Sequence, residues 1–284
     1  MRVLEYFDAN TFFDVHREIL LEREAACQLL LGHLLFCIDD GASDISFGSV
    51  VDDMAVHLLF CKFPSKAIVI YTVNKEHLAA AAEELAEYLA DDGSLINEIK
   101  GSSDACQHFV GHFEKSVACS FARATEYDIM EIRQINDIKP ADGIQRAARA
   151  DEAQLVADWM IESQLEAKSS EMDYEAMLKK AEQYIADKRV FLFEKEDIVV
   201  SMAVKEKRLI NGVLLSYIYT PVEYRGEGYA AANLYYLSKA LLDEGYEYCT
   251  ILVDKKNPLT VRAYEKIGYQ VLDEFSEYRL ISAE

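Results

Sequence analysis

The spacing of hydrophobic residues predicts a regular succession of helices and strands in the second half of the chain. From residue 144 onward, apolar residues recur with a helical period or form the short runs typical of strands. The predicted order is strand, two helices, three strands, helix, strand, helix and two strands. These elements cover residues 144–148, 151–167, 172–187, 190–194, 199–205, 213–220, 229–244, 250–254, 259–267, 269–273 and 277–281.

The first half of the chain has a less regular pattern. Its predicted elements are a long amphipathic helix over 11–36, strands over 57–63, 67–73 and 117–124, and helices over 76–90 and 104–114. Helices and strands alternate, so this half is also predicted to be α/β. Pro140, one of only four prolines, is soon followed by Gly143 and gives the best boundary signal. We therefore predict two domains, residues 1–140 and 143–284.

A glycine-rich segment follows the apolar run that ends at Thr220. After Pro221 comes Arg225-Gly226-Glu227-Gly228-Tyr229-Ala230, and a helical pattern begins there. The two glycines let the backbone approach a bulky group closely. The new helix directs its unpaired N–H groups and the positive end of its dipole to the same place, which suits a diphosphate. The segment therefore predicts a phosphorylated cofactor.

Two cofactor classes fit this segment at first. Gly226-x-Gly228-x-x-Ala231 satisfies the dinucleotide fingerprint, and Asp254 ends the next strand, where a ribose-binding carboxylate is expected. A dinucleotide fold, however, needs several more parallel strands, and too few residues follow Asp254 to form them. The strand before the loop also reads as the second arm of a hairpin, because Asn211-Gly212 separates two apolar runs. The context argues against a dinucleotide.

The second interpretation accounts for more of the residues. Arg225-x-x-Gly228-x-Ala230 resembles the R/Q-x-x-G-x-G/A signature of the GNAT N-acetyltransferase superfamily. Residues 257–269 resemble the closing motif of that family, with an Asn-Pro start, Tyr-Glu-Lys on the last helix and Gly-Tyr before the next strand. The order and separation of the two motifs match as well. The resemblance covers residues 143–284.

This resemblance implies a fold for the second half. It predicts a GNAT domain over residues 143–284, with a mixed, mostly antiparallel sheet flanked by helices. The first half lacks an R-x-x-G-x-A loop. One hypothesis is that it is a degenerate copy of the same fold that binds no cofactor. The predicted fold class is therefore α/β (α+β), with a second α/β domain at the N-terminus.

Charge limits the partners of the chain. The net charge is −21, of which residues 1–142 carry −14 and residues 143–284 carry −7. Such a surface repels nucleic acid and anionic membranes, so we expect neither as a partner. Solubility alone explains the acidity, although a cationic acceptor also fits it. A cofactor site must then be locally positive, and Arg225, Lys255 and Lys256 are the candidates.

Other sequence features bear on compartment and metals. The N-terminus lacks a signal-peptide pattern, and no apolar run reaches the roughly 18 residues of a membrane span. The six cysteines show no paired or metal-ligand spacing, which suggests free thiols in the cytoplasm. His108 and His112 lie four residues apart near Cys106, but no third ligand is evident. We therefore predict no metal site.

The resemblance also implies which residues contact coenzyme A. In GNAT domains the strand before the loop splays from its neighbour, and the pantetheine arm pairs with its backbone, while loop amides hold the diphosphate. The residues implied are Ile218, Tyr219, Thr220, Arg225, Gly226, Gly228, Tyr229, Ala230 and Asn257. Asn257 is also expected to cap the last helix, and capping alone would explain it equally well.

Acetyl transfer from a thioester to an amine requires a neutral amine and donors for the developing oxyanion, and it benefits from a proton for the thiolate. Tyr264 stands where the family often keeps a general acid, although a packing role would also explain it. No histidine lies in residues 143–284, so the base is a carboxylate or water. Glu171 is the candidate base. Glu162 and Glu166 are alternatives, and all three also read as solvated surface charges.

These features together predict an acetyl-CoA-dependent N-acetyltransferase. It would move the acetyl group directly to the amine of a small molecule or peptide, within a ternary complex. The alternative is a non-catalytic acyl-CoA-binding regulator or scaffold protein. The intact loop, together with Asn257 and Tyr264, favours the enzyme.

Overall fold

A computed structural model describes residues 1–40, 44–166 and 173–283. The chain forms two compact units. Unit 1 contains residues 1–129 and the C-terminal residues from Leu272, and unit 2 contains residues 130–271. These bounds differ from the predicted halves at both ends, because two strands cross them. The strand Cys119–Ile132 begins in unit 1 and ends in unit 2, and the last strand begins in unit 2 and ends in unit 1. The assignment of an acetyltransferase domain to residues 143–284 stays a prediction.

Unit 1 is a sheet with helices. Its elements are β1 (Arg2–Tyr6), α1 (Ala9–Glu22), α2 (Gln28–Asp40), β2 (Ser46–Val51), β3 (Val56–Lys62), β4 (Ala67–Thr72), α3 (Leu78–Asp91), β5 (Glu98–Ser102), α4 (Ser103–Val117), β6 (Cys119–Ile132) and, from the chain end, β12 (Gln270–Ala283). The strand order is β1-β2-β3-β4-β5-β12-β6. β4 and β5 are parallel, whereas β1 to β4, and β5 with β12, form antiparallel pairs.

The core of unit 1 lies between its sheet and helices α3 and α4. Helix α3 places small and large apolar residues at helical spacing, among them Ala81 and Leu85, which are fully buried. Phe109 of α4 packs into the same cluster with Phe60 of β3 and Ile70 of β4. These side chains are removed from water almost completely, which makes this cluster a main source of stability for the unit.

Unit 2 contains the glycine-rich segment. Its elements are β7 (Ile144–Ala147), α5 (Ala153–Glu166), α6 (Tyr174–Ala186), β8 (Val190–Lys195), β9 (Ile198–Arg208), β10 (Gly212–Tyr219), α7 (Tyr229–Asp243), β11 (Tyr248–Asp254) and α8 (Pro258–Ile267). Its strands follow the order β11-β10-β9-β8-β7. β10 and β11 are parallel, and the other neighbours are antiparallel. The predicted fold class, a mixed and mostly antiparallel sheet flanked by helices, is confirmed.

The two faces of the unit 2 sheet carry different helices. Ala203 of β9 packs with α7 and α8, whereas its neighbours Met202 and Val204 pack with α5 and α6. Because side chains alternate along a strand, these two clusters lie on opposite faces. Along the chain, one order of elements also occurs twice, namely strand, two helices, three strands, helix, strand, helix and strand, first from β1 to β6 and again from β7 to β12.

The predicted helix over residues 11–36 is wrong, because the structure has two helices, α1 and α2. The break begins at Arg23, whose backbone leaves the helical region with φ −127° and ψ 44°. Its guanidinium pairs with Asp273 at 2.8 Å, and Glu24 is buried. No glycine or proline marks this break, so tertiary contacts outweigh the local helical preference here.

The two strands predicted over 269–273 and 277–281 are one continuous strand, β12. It pairs with β5 from Phe275 opposite Ser102 to Arg279 opposite Glu98. The sequence between the two predicted strands contains no glycine or proline, so nothing in it enforces a turn. Strands β1, β2 and β5 were not predicted.

Three further findings concern membranes, metals and thiols. None of the helices within the described ranges is long and apolar enough to cross a bilayer. Over the same ranges, no group of three or more histidine, cysteine or acidic side chains is arranged to hold a metal ion. All six cysteines are free thiols, and five of them are buried.

Candidate functional site

A gap opens between the two parallel strands of unit 2. β10 and β11 pair from Gly212 opposite Tyr248 to Leu214 opposite Thr250, and over the described residues of the two strands the pairing ends there. β10 nevertheless continues to Tyr219 and β11 to Asp254. The part of β10 nearest the glycine-rich segment therefore has a free edge toward β11.

A bulge accompanies this gap. The register between β10 and β9 shifts between Ser216 and Tyr219, and Tyr217 has a φ of 46°. A bulge adds one residue to a strand and so places consecutive side chains on one face. Ser216 and Tyr217 accordingly both contact groups on the α5 and α6 side. The bulge bends β10 at the point where it leaves β11.

The three predicted strand residues present different groups to the gap. Tyr219 is opposite Met202 of β9, and its carbonyl accepts a hydrogen bond of 3.0 Å from Ser201 Oγ. Its backbone therefore faces β9. Because peptide groups alternate along a strand, those of Ile218 and Thr220 face the gap. The Thr220 hydroxyl is buried and has no hydrogen-bond partner in the part of the chain that the structure describes.

The glycine-rich loop is open where a ligand would approach. Gly226 has φ 88° and Gly228 has φ 82°, a conformation that favours glycine. A Cβ added at Gly226 would meet nothing within 4 Å, and one at Gly228 would meet only Ala141 at 3.8 Å. Side chains therefore leave this bend unfilled.

Helix α7 starts at Tyr229 and directs its first turn into the same bend. Gly228 occupies the N-cap position and offers no side chain to cap the helix. The first intrahelical hydrogen bond runs from Ala232 N–H to Gly228 O, so the amides of Tyr229, Ala230 and Ala231 precede the regular ladder. Three amides at the positive end of a 15-residue helix favour an anion.

Arg225 is anchored by its side chain. Its Nε donates to Thr220 O at 2.8 Å, and its terminal nitrogen pairs with Glu166 at 2.6 Å. The hydrogen bond to Glu166 raises the pKa of the guanidinium above its already high ordinary value. The Arg225 N–H donates to Val222 O at 3.3 Å, so in this conformation that amide serves the turn.

Asn257 caps α8. Its side-chain oxygen accepts a hydrogen bond of 3.3 Å from Thr260 N–H, and Pro258 follows at the first helical position. An asparagine at the N-cap followed by a proline at the first helical position is the arrangement predicted from the sequence. A contact between Asn257 and a cofactor stays a prediction.

Tyr264 lies on α8 in the core that β10 and β11 share with the helices. It is 5 % exposed, and its ring packs near that of Tyr269 with 6.2 Å between centroids. Burial raises the pKa of Tyr264 well above its ordinary value, so the phenol stays protonated. Its hydroxyl makes no hydrogen bond within the described ranges, unlike the Tyr269 hydroxyl, which bonds Ser238 at 2.8 Å.

The structure describes the two alternative bases, Glu162 and Glu166, but not the candidate base Glu171. Glu171 lies outside the described residues, so its role stays a prediction. Glu162 accepts a hydrogen bond of 2.8 Å from the Tyr219 hydroxyl. Burial, together with this bond, raises the pKa of Tyr219 to about 12. Glu162 and Glu166 are therefore engaged with the β10 end and its loop, and are more than solvated charges.

A polar cluster next to the bulge was missed at the sequence level. Tyr184 donates to Glu206 at 2.7 Å, Ser216 donates to the other oxygen of Glu206, and the Lys180 ammonium lies 3.0 Å from the Tyr217 hydroxyl. Burial alone would lower the pKa of Lys180, but Glu206 and Tyr217 raise it above its usual value. The one visible signal is the spacing of Lys180 and Tyr184, which are four residues apart on α6.

Several solved structures are similar to this chain. No family model matches the sequence, and no curated protein matches it significantly. A GNAT-family acetyltransferase from Colwellia psychrerythraea is similar over 99 % of this chain and 100 % of its own, at 10 % identity and a TM-score of 0.58. A Drosophila protein is similar over 98 % of both chains, at 10 % identity and a TM-score of 0.61.

A GCN5-related N-acetyltransferase from Sphaerobacter thermophilus is also similar, over 92 % of this chain and 91 % of its own. The identity is 14 % and the TM-score 0.56. These likenesses extend over nearly the whole chain, although few residues are shared. The chain therefore has a fold like that of the GNAT acetyltransferases.

Proposed function

We propose that the protein is an acetyl-CoA-dependent N-acetyltransferase whose cofactor site is the gap between β10 and β11. The observation that carries this proposal is the coincidence of a free strand edge with an uncapped helix start and an open glycine bend. An anion at the α7 start and a peptide-like arm along β10 require these features side by side. The GNAT-like fold supports the same function.

The residues present fit such a ligand. A buried hydroxyl without a partner is unfavourable, and a bound ligand that bonds the Thr220 hydroxyl would remove that cost. Gly226 and Gly228 leave the space that a side chain would fill. We assign the diphosphate to the amides of Gly226, Gly228, Tyr229 and Ala230, and the pantetheine arm to the backbone groups of Ile218 and Thr220 that face the gap. In the free protein Arg225 Nε occupies Thr220 O.

The chain would hold and orient the reactants in a ternary complex. Coenzyme A supplies the acetyl group as a thioester, which is already activated for transfer. From Thr220 the gap runs back along about 13 Å of strand, at roughly 3.3 Å per residue, to the bulge at Ser216. Burial keeps the phenolic proton on the Tyr264 oxygen, so the residue would be available as the proton donor to the departing sulphur.

We infer that the acceptor is a cationic amine that approaches from the face of α5 and α6. Glu162 lies on that face beside β10, and the whole chain carries a net charge of −21. Glu206 lies on the same face, but Lys180 at 3.6 Å offsets its charge. Such a field attracts ammonium compounds and repels anions. A small-molecule or peptide amine fits this site, and either Glu171 or a water molecule would accept its proton.

Calorimetric titration with coenzyme A tests the cofactor site. We expect Gly228→Leu to weaken binding at least about tenfold, because the new side chain occupies the bend and disturbs the amides. Gly245→Leu is the matched control. Gly245 follows the other end of α7 with φ 101° and open space around it, so it bears a similar backbone cost. Equal binding by both variants would refute the site.

A thiol-release screen with acetyl-CoA tests the activity. Polyamines, amino acids, aminoglycosides and lysine peptides are supplied in parallel, and free coenzyme A is measured with time. We expect release only with cationic amines. If coenzyme A binds at the loop but no amine in the panel accelerates release, the enzyme proposal fails and a non-catalytic binding role takes its place.

A further inference from the structure

Arg225 is the one basic residue between Tyr217 and Ala231. Its positive charge is already paired with a carboxylate. Its guanidinium is paired with Glu166, the last residue of α5, at 2.6 Å. Glu166 comes from outside the loop. The loop's own positive charge is therefore offset by a distant part of the sequence. An anion that binds at the α7 start meets a local charge lower than the loop sequence suggests.

The position of this ion pair lets Arg225 change partner. The side chains of Arg225 and Glu166 are 42 % and 50 % exposed, and such pairs contribute little net stability. Arg225 directly precedes Gly226, so its long side chain starts next to the amides that would hold a diphosphate. A diphosphate carries more charge than a carboxylate and accepts the planar guanidinium fork as well. Exchange of Glu166 for a phosphate is therefore favourable.

We propose that Glu166 and the diphosphate of coenzyme A compete for the Arg225 guanidinium. Glu166 is then a positioning residue that sets cofactor affinity through Arg225 without contacting the cofactor. This inference rests on the proposed function, because it needs a diphosphate at the loop. In the free protein Arg225 is held by Glu166 and Thr220 O, and in the complex it turns to the phosphate and leaves Glu166 unpaired.

Coenzyme A titrations of matched charge variants test this competition. Glu166→Gln should tighten binding roughly two- to fivefold, the range that an exposed ion pair contributes. Glu223→Gln is the control, because Glu223 is exposed, lies in the same loop region and makes no ion pair among the described residues. It removes the same charge from the loop's surroundings without releasing Arg225. Its effect should be clearly smaller than that of Glu166→Gln.

A double-mutant cycle separates competition from a general field effect. In the Arg225→Gln background, Glu166→Gln should no longer tighten coenzyme A binding, because there is no guanidinium to release. Pantetheine, which lacks the diphosphate, is the second probe. Glu166→Gln should leave its affinity unchanged. A merely structural role for Glu166 would instead change both ligands alike and lower the thermal unfolding midpoint.

Three results would overturn this inference alone. They are equal effects of Glu166→Gln and Glu223→Gln, a Glu166→Gln effect that persists without Arg225, and an equal gain for pantetheine. Absence of coenzyme A binding by the unaltered protein would instead refute the proposed function, and this inference with it. Tighter binding that is specific to coenzyme A and requires Arg225 supports the competition.

Discussion

The same pair of parallel strands is closed in unit 1 and open in unit 2. In unit 1, β4 and β5 pair from Ala67 opposite Glu98 to Ile70 opposite Gly101, and Ser102 Oγ then accepts the Thr72 N–H at 3.0 Å. β4 is thus bonded to its neighbour along nearly its whole length. In unit 2, the corresponding strands β10 and β11 separate after Leu214. One order of elements therefore supports two different edges.

β4 and β10 each have a threonine near the C-terminal end, and the two hydroxyls differ in their hydrogen bonding. The Thr72 hydroxyl donates to Asp104 at 2.8 Å, and Asp104 also pairs with Lys75 at 3.2 Å. The Thr220 hydroxyl, at the matching place in unit 2, is buried without a partner within the described ranges. Unit 1 satisfies this position internally and places a carboxylate there, which would repel an anion.

The loops after these strands differ as well. Residues 73–77 connect β4 to α3, whereas the longer segment 220–228 connects β10 to α7. The N-cap of α3 is His77 with φ 58°, and the N-cap of α7 is Gly228 with φ 82°. Both residues adopt the left-handed conformation, but only the glycine leaves room for a ligand. The two units thus differ at a few residues near one strand end, within the same order of elements.

The largest expected effect contrasts the same substitution in the two units. A Cβ at Gly101 would lie 1.8 Å from the Ile70 carbonyl oxygen, whereas one at Gly226 would meet nothing within 4 Å. We expect Gly101→Ala to lower the free energy of unfolding by about 3 kcal/mol or more. Gly226→Ala should cost only about 1 kcal/mol, from its positive φ. Urea unfolding measures both, and comparable losses would contradict the closed-versus-open contrast.

Acid should lower the stability of unit 1 through the buried His16. Unit 2 contains no histidine and lacks a corresponding group. His16 is buried, its Nε2 bonds the Tyr6 hydroxyl at 2.9 Å, and its Nδ1 has no partner in the described part of the chain. Burial lowers the pKa of His16 to about 4. The unfolded chain therefore takes up a proton below pH 6.5 that the folded chain refuses, and stability falls from there toward pH 4.

From these pKa values the loss at pH 5 is on the order of 2 kcal/mol. His16→Phe keeps an aromatic ring in the site and should remove this share of the acid sensitivity. Urea unfolding of both proteins at pH 7 and pH 5 measures the difference. If the variant loses as much stability on acidification as the unaltered protein, His16 does not titrate as the burial implies.

Substitution of Tyr264 and of Tyr269 tests whether each tyrosine of unit 2 serves catalysis or packing. The corresponding helix of unit 1, α4, has no tyrosine and buries Phe109 and Phe113 instead. Tyr264→Phe should lower turnover about tenfold, a modest factor because a thiolate leaves readily without a proton. Coenzyme A affinity should stay unchanged. Tyr269→Phe should leave turnover intact but lower stability by about 1 kcal/mol, since it loses the bond to Ser238.

Steady-state kinetics and urea unfolding on these two variants decide the assignment. Turnover that falls equally in both, or in neither, would remove Tyr264 as the proton donor. A fall in Tyr264→Phe accompanied by weaker coenzyme A binding would indicate a binding role for the phenol.

The open loop of unit 2 was easier to predict from the sequence than the closed strand pair β4 and β5 of unit 1, for a physical reason. Gly226 and Gly228 are needed for their conformation, so the open loop is visible in residue types alone. The closure of unit 1 depends on which hydroxyl reaches which carboxylate, as with Thr72 and Asp104, and no local pattern encodes such a contact. The helix break at Arg23 and the pairing of β12 with β5 likewise arise from partners far away in the sequence.

The site itself was only partly predictable. The loop glycines, the cap at Asn257 and the strand before the loop followed from short motifs. The roles of Glu162 and Glu166 did not, because an acidic residue on an amphipathic helix usually faces solvent. Their partners, Tyr219 and Arg225, lie more than fifty residues away in the sequence. Residue types reveal where the backbone needs an unusual conformation, whereas the side-chain contacts that hold that backbone join residues far apart in the sequence.

The smallest expected effects come from the two threonines, and they have opposite signs. Thr72→Val removes the bond to Asp104 and leaves that carboxylate short of a donor, so it should lower the free energy of unfolding by about 1 kcal/mol. Thr220→Val removes a buried hydroxyl that has no partner, so stability should stay level or rise. Coenzyme A binding should respond in reverse, with no change for Thr72→Val and a loss of roughly fivefold for Thr220→Val. Because valine matches threonine in shape, neither change alters packing, and urea unfolding with calorimetry on the same samples measures both properties. A Thr220→Val protein that is less stable yet binds coenzyme A normally would mean that the hydroxyl serves the free protein, and the contrast between the two strand ends would then need another cause.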